Sequence, residues 1–499
     1  MEVLQHLIDG FGTALRPLYL TVAFVGVTLG TVIGMLPGIG PINGIAILIP
    51  ISFAMGLDPT AMLILFAGIY YGSQYGNSIS TILLNVPGTP SSVATALDGH
   101  PMAKAGRGGP ALAIAAIASF VGGTLSVVGL MLLAPLLASW AIRFGPAEYF
   151  VLIVFTFTML SALSGKQFVK GLVATGFGLM LASIGIDQGT GVPRYTFGLL
   201  EFQDGLDFAV VTIGLFAISE VFVLVEQTRT AEQVTTRLGR VMVTAKEFAA
   251  CWWGMLRSAV SGFLIGVLPG AGATIASFIA YATEQRLVDK KQTFGTGDIR
   301  GVAAPESANN AAVSGALIPM LTLGVPGSGT TAVLLGALLA LNLTPGPLFI
   351  QNNGELFWAL VASMYIGNVI LLLLNLPLVG LFVKVLLVPR WILVPAVAMI
   401  SYGAIYAASS SASDLWLMTA FGVVGYLMRK MDFPLAPVIL ALVLGPLMEV
   451  NLRRALSLSN GDWGVLYASP LTWVLWALVA VSVLFPLLRV LRRARAVNA

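Results

Sequence analysis

Soft metal ligands are nearly missing from this chain, which has one cysteine, Cys251, and two histidines, His6 and His100. A single cysteine closes no internal disulfide, so the redox compartment is not written in the sequence. So few thiols and imidazoles argue against a His/Cys metal centre, whose ligands come in sets of three or four. No H-E-x-x-H string is present either, which weighs against a membrane metalloenzyme. Charge is equally scarce. Asp, Glu, Lys and Arg make up 10% of the residues, against about a quarter in soluble domains. The net charge of +4 is small and reflects loop topology rather than nucleic-acid binding.

Apolar residues fill the space that charge vacates. They account for 57% of the chain, and the mean hydropathy is +0.92. Apolar stretches such as 208–224, 357–383 and 472–488 recur from end to end, each long enough to cross ~30 Å of hydrocarbon. Barrel strands alternate apolar and polar residues over about ten positions, and these runs do not. An all-α polytopic membrane protein with about 11–12 membrane helices follows. The first twenty residues lack a basic segment followed by a small-residue cleavage site, so no removable signal peptide is expected.

Loop charges set the expected orientation, because Lys and Arg concentrate on the cytoplasmic side. Residues 165–170 carry Lys166 and Lys170, whereas 187–207 carries Asp187, Glu201, Asp204 and Asp207. Residues 226–257 are basic again through Arg229, Arg237, Arg240 and Lys246, and the tail carries Arg489, Arg492, Arg493 and Arg495. Segments 226–257 and 284–300 both read as cytoplasmic. The stretch between them, 258–283, offers about 26 residues where two full crossings need roughly 40. A re-entrant hairpin with its tip at 268–272 fits that interval, and a single kinked crossing is the alternative.

Helix breakers recur in matched pairs. GMLPGIG (34–40) is repeated as GVLPGAG (266–272), and LNVPGTPSS (84–92) as LGVPGSGTT (323–331). Preserved order and spacing mark a duplicated unit, each copy opening on an amphipathic stretch, 3–15 and 230–246. About five crossings between Thr60 and Glu226 would invert one copy relative to the other, and inverted repeats with discontinuous helices are a transporter signature. The first repeat is expected over 1–225, with its tip near 37–41 and broken helix near 85–92. The second spans 226–388, with tip 268–272 and break 324–331, and C-terminal membrane helices fill 389–499.

A broken helix exposes N–H groups at one new end, which suit an anion, and carbonyls at the other, which suit a cation. The backbone amides at Gly38, Gly40, Gly88, Gly270, Gly272 and Gly327 are therefore candidates to hold an anionic substrate. Asn43, Thr89, Ser91, Ser92, Thr274, Ser328, Thr330 and Thr331 stand beside them; the alternative is that these hydroxyls cap half-helices and bind nothing. Asn77, Asn85, Glu306, Asn309 and Asn310 are ion-coupling candidates, since polar groups at membrane depth are costly and face cavities or partners. Glu306 either takes part in coupling or caps a helix beginning at Ser307. No buried arginine is evident among the breaks.

The strings GMLPGIGP (34–41), YYGSQYG (70–76), LLNVPGTPSS (83–92), DGHPMAKAGRGGPAL (98–112), GVLPGAGATIASF (266–278) and APESANNAA (304–312) are specific as a set. On them the chain resembles the large membrane subunit of the tripartite tricarboxylate transporter family over nearly its whole length. The resemblance implies a multi-pass permease of the bacterial inner membrane. Its expected partners are a small four-helix membrane subunit and a periplasmic binding protein that delivers a carboxylate, citrate-like or related. Uptake would be driven by a sodium or proton gradient, with an elevator motion by analogy to other carboxylate carriers. Sodium is the one candidate cofactor, as a coupling ion, and no enzyme activity is expected. An ion channel or a non-carboxylate ion-coupled transporter is the alternative, although channels usually assemble their pore from several copies around an axis.

Overall fold

The apolar runs become helices because a chain in hydrocarbon must satisfy every backbone N–H and C=O within itself. A computed structural model describes residues 2–36, 38–163, 168–187, 189–226, 240–270, 272–386 and 388–497. The first six helices are α1 (Glu2–Ala14), α2 (Pro17–Met35), α3 (Gly40–Ala54), α4 (Pro59–Leu84), α5 (Val93–Met102) and α6 (Gly108–Ala141). Then come α7 (Pro146–Leu163), α8 (Phe168–Ala182), a two-stranded hairpin of β1 (Gly185–Ile186) and β2 (Pro193–Arg194), and α9 (Phe208–Ile213), which runs through a wide turn into α10 (Ser219–Glu226).

The second half follows a similar order with α11 (Ala245–Val267), α12 (Gly272–Val288), α13 (Ile299–Leu323), α14 (Gly329–Ala340), the short α15 (Phe349–Asn352) and α16 (Gly354–Asn375). The chain closes with α17 (Val379–Val385), α18 (Arg390–Ser409), α19 (Ala412–Lys430), α20 (Ala436–Leu458) and α21 (Pro470–Val497). Among the described residues, eight helices are long and apolar enough to cross a bilayer. That is fewer than the expected 11–12. Four further apolar helices, Gly40–Ala54, Pro146–Ala162, Phe168–Ala182 and Gly329–Ala340, have 10–17 residues, short for an upright crossing of ~30 Å.

The apolar segment before the second tip starts earlier than the charge pattern suggests. Thr244 accepts from the Glu247 N–H while the Glu247 carboxylate accepts from the Thr244 N–H, a capping box that begins α11 well before residue 258. Its 23 residues reach about 34 Å, enough to span, whereas α12 with 17 residues falls short. Within the amphipathic stretch 230–246, residues 230–239 lie outside the described set, as do Lys166 and Arg229, and the described residues 240–244 are not helical.

Backbone contact builds the centre. Gly26, Gly30 and Gly34 on one face of α2 meet Gly68, Gly72 and Gly76 on one face of α4. A Cβ on Gly26 would lie 2.7 Å from the Leu65 carbonyl oxygen, and one on Gly30 2.5 Å from that of Ile69. In the second half, Gly262 and Gly266 of α11 press on α13, where a Cβ on either would lie 2.5 Å from the carbonyl oxygen of Ala308 or Ala312. Small residues let membrane helices approach this closely, since lipid supplies no hydrophobic force between them. Around this centre α13 packs on α6 and α11, α16 on α1, α4 and α6, and α20 on α7 and α8.

Outside the apolar bundle, the acidic loop is tied to α20. Arg453 bonds both oxygens of Asp187 at 3.0 and 2.7 Å, and Arg194 forks onto Glu449 at 3.0 and 3.2 Å. The Arg453 guanidinium, helped by the Gly189 N–H, holds the Asp187 carboxyl well below the usual carboxylate range. A depressed value stabilises the fold above the ordinary pKa and is lost as pH falls through the lowered one. Pepsin is therefore expected to leave this loop uncut until pH falls well below about 4, the free aspartate value, and to cut it closer to that pH in Arg453→Met. A second expectation concerns the helix contact. Gly30→Ala should cost about 1–3 kcal/mol by overpacking, read as a lower unfolding midpoint of the purified chain. Gly12→Ala, with nothing within 4 Å, should cost nothing.

Candidate functional site

The duplicated strings adopt duplicate backbones. After α2 the chain leaves the helix at an extended Leu36 and passes Gly38 at φ +87° and Gly40 at φ +60°. After α11 it leaves at an extended Leu268 and passes Gly270 at φ +80° and Gly272 at φ +57°. These left-handed values are where glycine is needed. The second breaks match as well: α4 ends on Asn85 at φ +55° and α13 on Gly324 at φ +68°. Pro37 and Ala271, inside the two tips, lie outside the described residues.

Each break leans on the tip of its own repeat. Gly88 lies against the Gly34 carbonyl and the Asn77 Cβ, and Gly327 against the Gly266 carbonyl and Ala316. The Gly270 N–H donates to the Gly327 carbonyl at 3.0 Å. Contacts also cross between repeats. Helix α12 packs on the Pro90–Ser92 turn, and α14 packs on α3. The Tyr70 and Ser328 hydroxyls are 3.2 Å apart. All four breaks thus gather at one place.

Their hydroxyls are already engaged. Asn77 Nδ2 donates to Thr89 Oγ1 at 2.6 Å and to Gln74 Oε1 at 3.1 Å, and Ser91 donates to Gln74 at 3.0 Å. Ser92 donates to the Thr89 carbonyl at 2.9 Å and accepts from Thr81. Ser328 and Thr331 form a reciprocal capping box on α14, the capping role foreseen for such hydroxyls, and Thr330 is buried on its first turn. Thr274 is half-buried on the first turn of α12, and Asn85 is exposed. Asn43 Nδ2 braces the first tip by donating to the Gly38 carbonyl at 3.1 Å.

The asparagines of α13 stand differently. Asn309 and Asn310 are fully buried; neither amide atom of Asn309 has a hydrogen-bond partner, and Asn310 Oδ1 has none. Buried polar groups are almost always paired, because leaving one bare costs desolvation without return. One sequence expectation needs correction. Glu306 caps nothing: α13 begins at Ile299 with Asp298 as its cap, so Glu306 lies within the helix, where first-turn dipole arguments do not apply. A half-buried arginine stands behind the first tip, from far along the chain. Arg429 of α19 pairs with Glu220 of α10, and the Glu220 carboxylate touches Gly38. Gln74 and Tyr70 also belong to the site, and the polar string YYGSQYGNS (70–78) was their signal.

The family model for the tripartite tricarboxylate transporter TctA family matches residues 20–440. An uncharacterized 52.8 kDa protein in the TAR-I ttuC' 3' region of Agrobacterium vitis is 41% identical over 99% of this chain and 98% of its own length. An uncharacterized protein in the TAR-II ttuC' 3' region of the same organism is 42% identical over 47% of this chain and 97% of its own length. No solved structure matches.

The bare amide of Asn309 makes a prediction. Asn309→Ala should leave stability within about 1 kcal/mol or raise it, since no bond is lost. Asn77→Ala should destabilise by about 1–3 kcal/mol, because it strips a donor from buried Gln74. Unfolding midpoints of the two purified variants decide this, and a large loss in Asn309→Ala would contradict it.

Proposed function

The chain belongs to the tripartite tricarboxylate transporter TctA family, and from that premise we propose that it takes up a carboxylate by secondary active transport as the permease subunit. Membership and the apolar helices make it a multi-pass membrane transport protein. The bacterial inner membrane, a small four-helix subunit, a periplasmic binding protein and a sodium or proton gradient complete the proposal. The observation that carries it is the gathering of four matched breaks, two tips and two interrupted helices, around the Tyr70–Ser328 contact.

In this reading the two repeats are inverted across the membrane. The amides that open α3, α5, α12 and α14 supply partial positive charge to a bound carboxylate. Asn309 supplies a donor and an acceptor without partners, and Asn310 an acceptor, its Oδ1. Arg429 adds a full charge, which Glu220 holds until an anion competes for it. A two-block elevator motion fits the fold class by analogy.

The test is uptake of a labelled panel of citrate, other tricarboxylates and dicarboxylates into proteoliposomes holding the chain with its two partner proteins. Sodium and proton gradients are imposed in turn. Gradient-dependent uptake of at least one carboxylate is expected, lowered at least tenfold in Asn309→Ala while that variant stays folded. Uptake of no carboxylate by the assembled complex would refute the substrate class.

A further inference from the structure

Glu306 differs from every other buried acid described. Asp98 accepts the N–H groups of Gly295, Gly297 and Asp298 at 2.8 Å each and the Tyr281 hydroxyl at 2.9 Å. Asp187 pairs with Arg453, Glu220 with Arg429 and Glu284 with Arg257. Glu306 has hydroxyls alone: Thr95 of α5 donates at 2.6 Å and Ser119 of α6 at 3.3 Å, with Ser78 of α4 alongside. It is 0% exposed and stands about 10 Å along α13 from the helix start.

Among the described residues, its surroundings carry no compensating cation. The ionisable groups on helices packed against α13 are Tyr70, Tyr71 and Tyr75 on α4, Asp98 and His100 on α5, four on α11 and three on α12. On α11, Arg257 is committed to Glu284, Glu247 is paired with Arg107, and Lys246 and Cys251 make no bond to Glu306. On α12, Tyr281 is bonded to Asp98, Glu284 is the partner of Arg257, and Arg286 makes no ion pair with Glu306. His100 bonds the Ile82 carbonyl, and Arg300 of α13 itself is paired with Asp298. Helices α6, α14 and α15 have no ionisable side chain. An unpaired carboxylate at membrane depth is costly, so a mobile positive charge must neutralise it.

We propose that Glu306 carries the coupling ion of this transporter and that the ion is a proton. A hard metal cation wants about six oxygen ligands, and one shared between the Glu306 carboxylate and these hydroxyls would have to break the 2.6 Å Thr95 bond. Beside them lies a cavity of about 10 Å³ lined by Tyr75, Ser78, Ser119 and Asn375, room for one water. Asn375 Oδ1 in that lining has no partner and can hold the water. The step is a proton transfer. Protonated water gives H⁺ to a Glu306 oxygen, an O–H bond forms, and the reverse transfer returns the proton on the other side; no electrons are exchanged. The acid joins the repeats, because α13 ends in the second break while Thr95 stands on the helix that follows the first.

The assignment of coupling rests on the uptake reading, but its test does not. Infrared difference spectra of the purified full-length chain across a pH series should show a protonated-carboxyl band that disappears on alkalinisation. The band should be missing from Glu306→Gln. It should persist to higher pH in Ser119→Ala, where a donor to the anion is gone. Addition of NaCl at fixed pH should leave it unchanged. A band identical in wild type and Glu306→Gln would overturn the proposal, as would one abolished by sodium or, should Glu306→Gln not fold, one unmoved in Ser119→Ala. In proteoliposomes that take up citrate or another carboxylate, Glu306→Gln should lose uphill accumulation yet keep exchange. Absence of all uptake would count against the transport reading and leave the infrared result standing.

Discussion

Direct backbone contact between helix pairs is the constraint on which the rest depends. Where α2 meets α4, and α11 meets α13, glycine and alanine let main chains touch. Lipid solvates leucine as well as a neighbouring helix does, so close packing must supply the attraction. The same closeness fixes the breaks. Gly88 rests on the Gly34 carbonyl and Gly327 on that of Gly266, so the interrupted helices are positioned by α2 and α11. A side chain at these glycines would move the site as well as the helices.

Burial of polar groups follows from that scaffold. Non-helical backbone is tolerated at membrane depth where protein covers it or water reaches it, and the two tips and two breaks cover one another. The hydroxyls beside them mostly satisfy local needs, capping α14 or tying the Pro90–Ser92 turn to α4. Among the groups left unsatisfied are Asn43 Oδ1 beside the first tip and the amides of Asn309 and Asn310 on α13, with Glu306 one turn earlier and held by hydroxyls from the first repeat. Polar groups without full partners are what a ligand or an ion can complete.

Much of this was legible in the chain. The duplicated P-G-x-G strings marked the two tips, and the left-handed glycines at 38, 40, 270 and 272 are what such strings require. The spacing of Gly26, Gly30 and Gly34 against Gly68, Gly72 and Gly76 was also present, four residues apart on helices, although it says nothing about which partner each stripe meets. The start of α11 was harder. Its first turn carries Lys246 and Glu247 and its middle Arg257, which look like loop residues to a hydropathy reading, and the capping box outweighs that appearance.

By itself, then, the sequence determined a helical membrane protein, its duplication and the positions of its breaks, because length, hydropathy and glycine conformation are local properties. Tertiary structure decided which side chains share a site. Arg429 reaches Glu220, which lies against Gly38, across some two hundred positions of chain, and Thr95 reaches Glu306 in the same way. It also decided what Glu306 is. An acid near a helix start and an acid within one look alike in a string of letters, and they differ in burial and in the partners that the described residues supply.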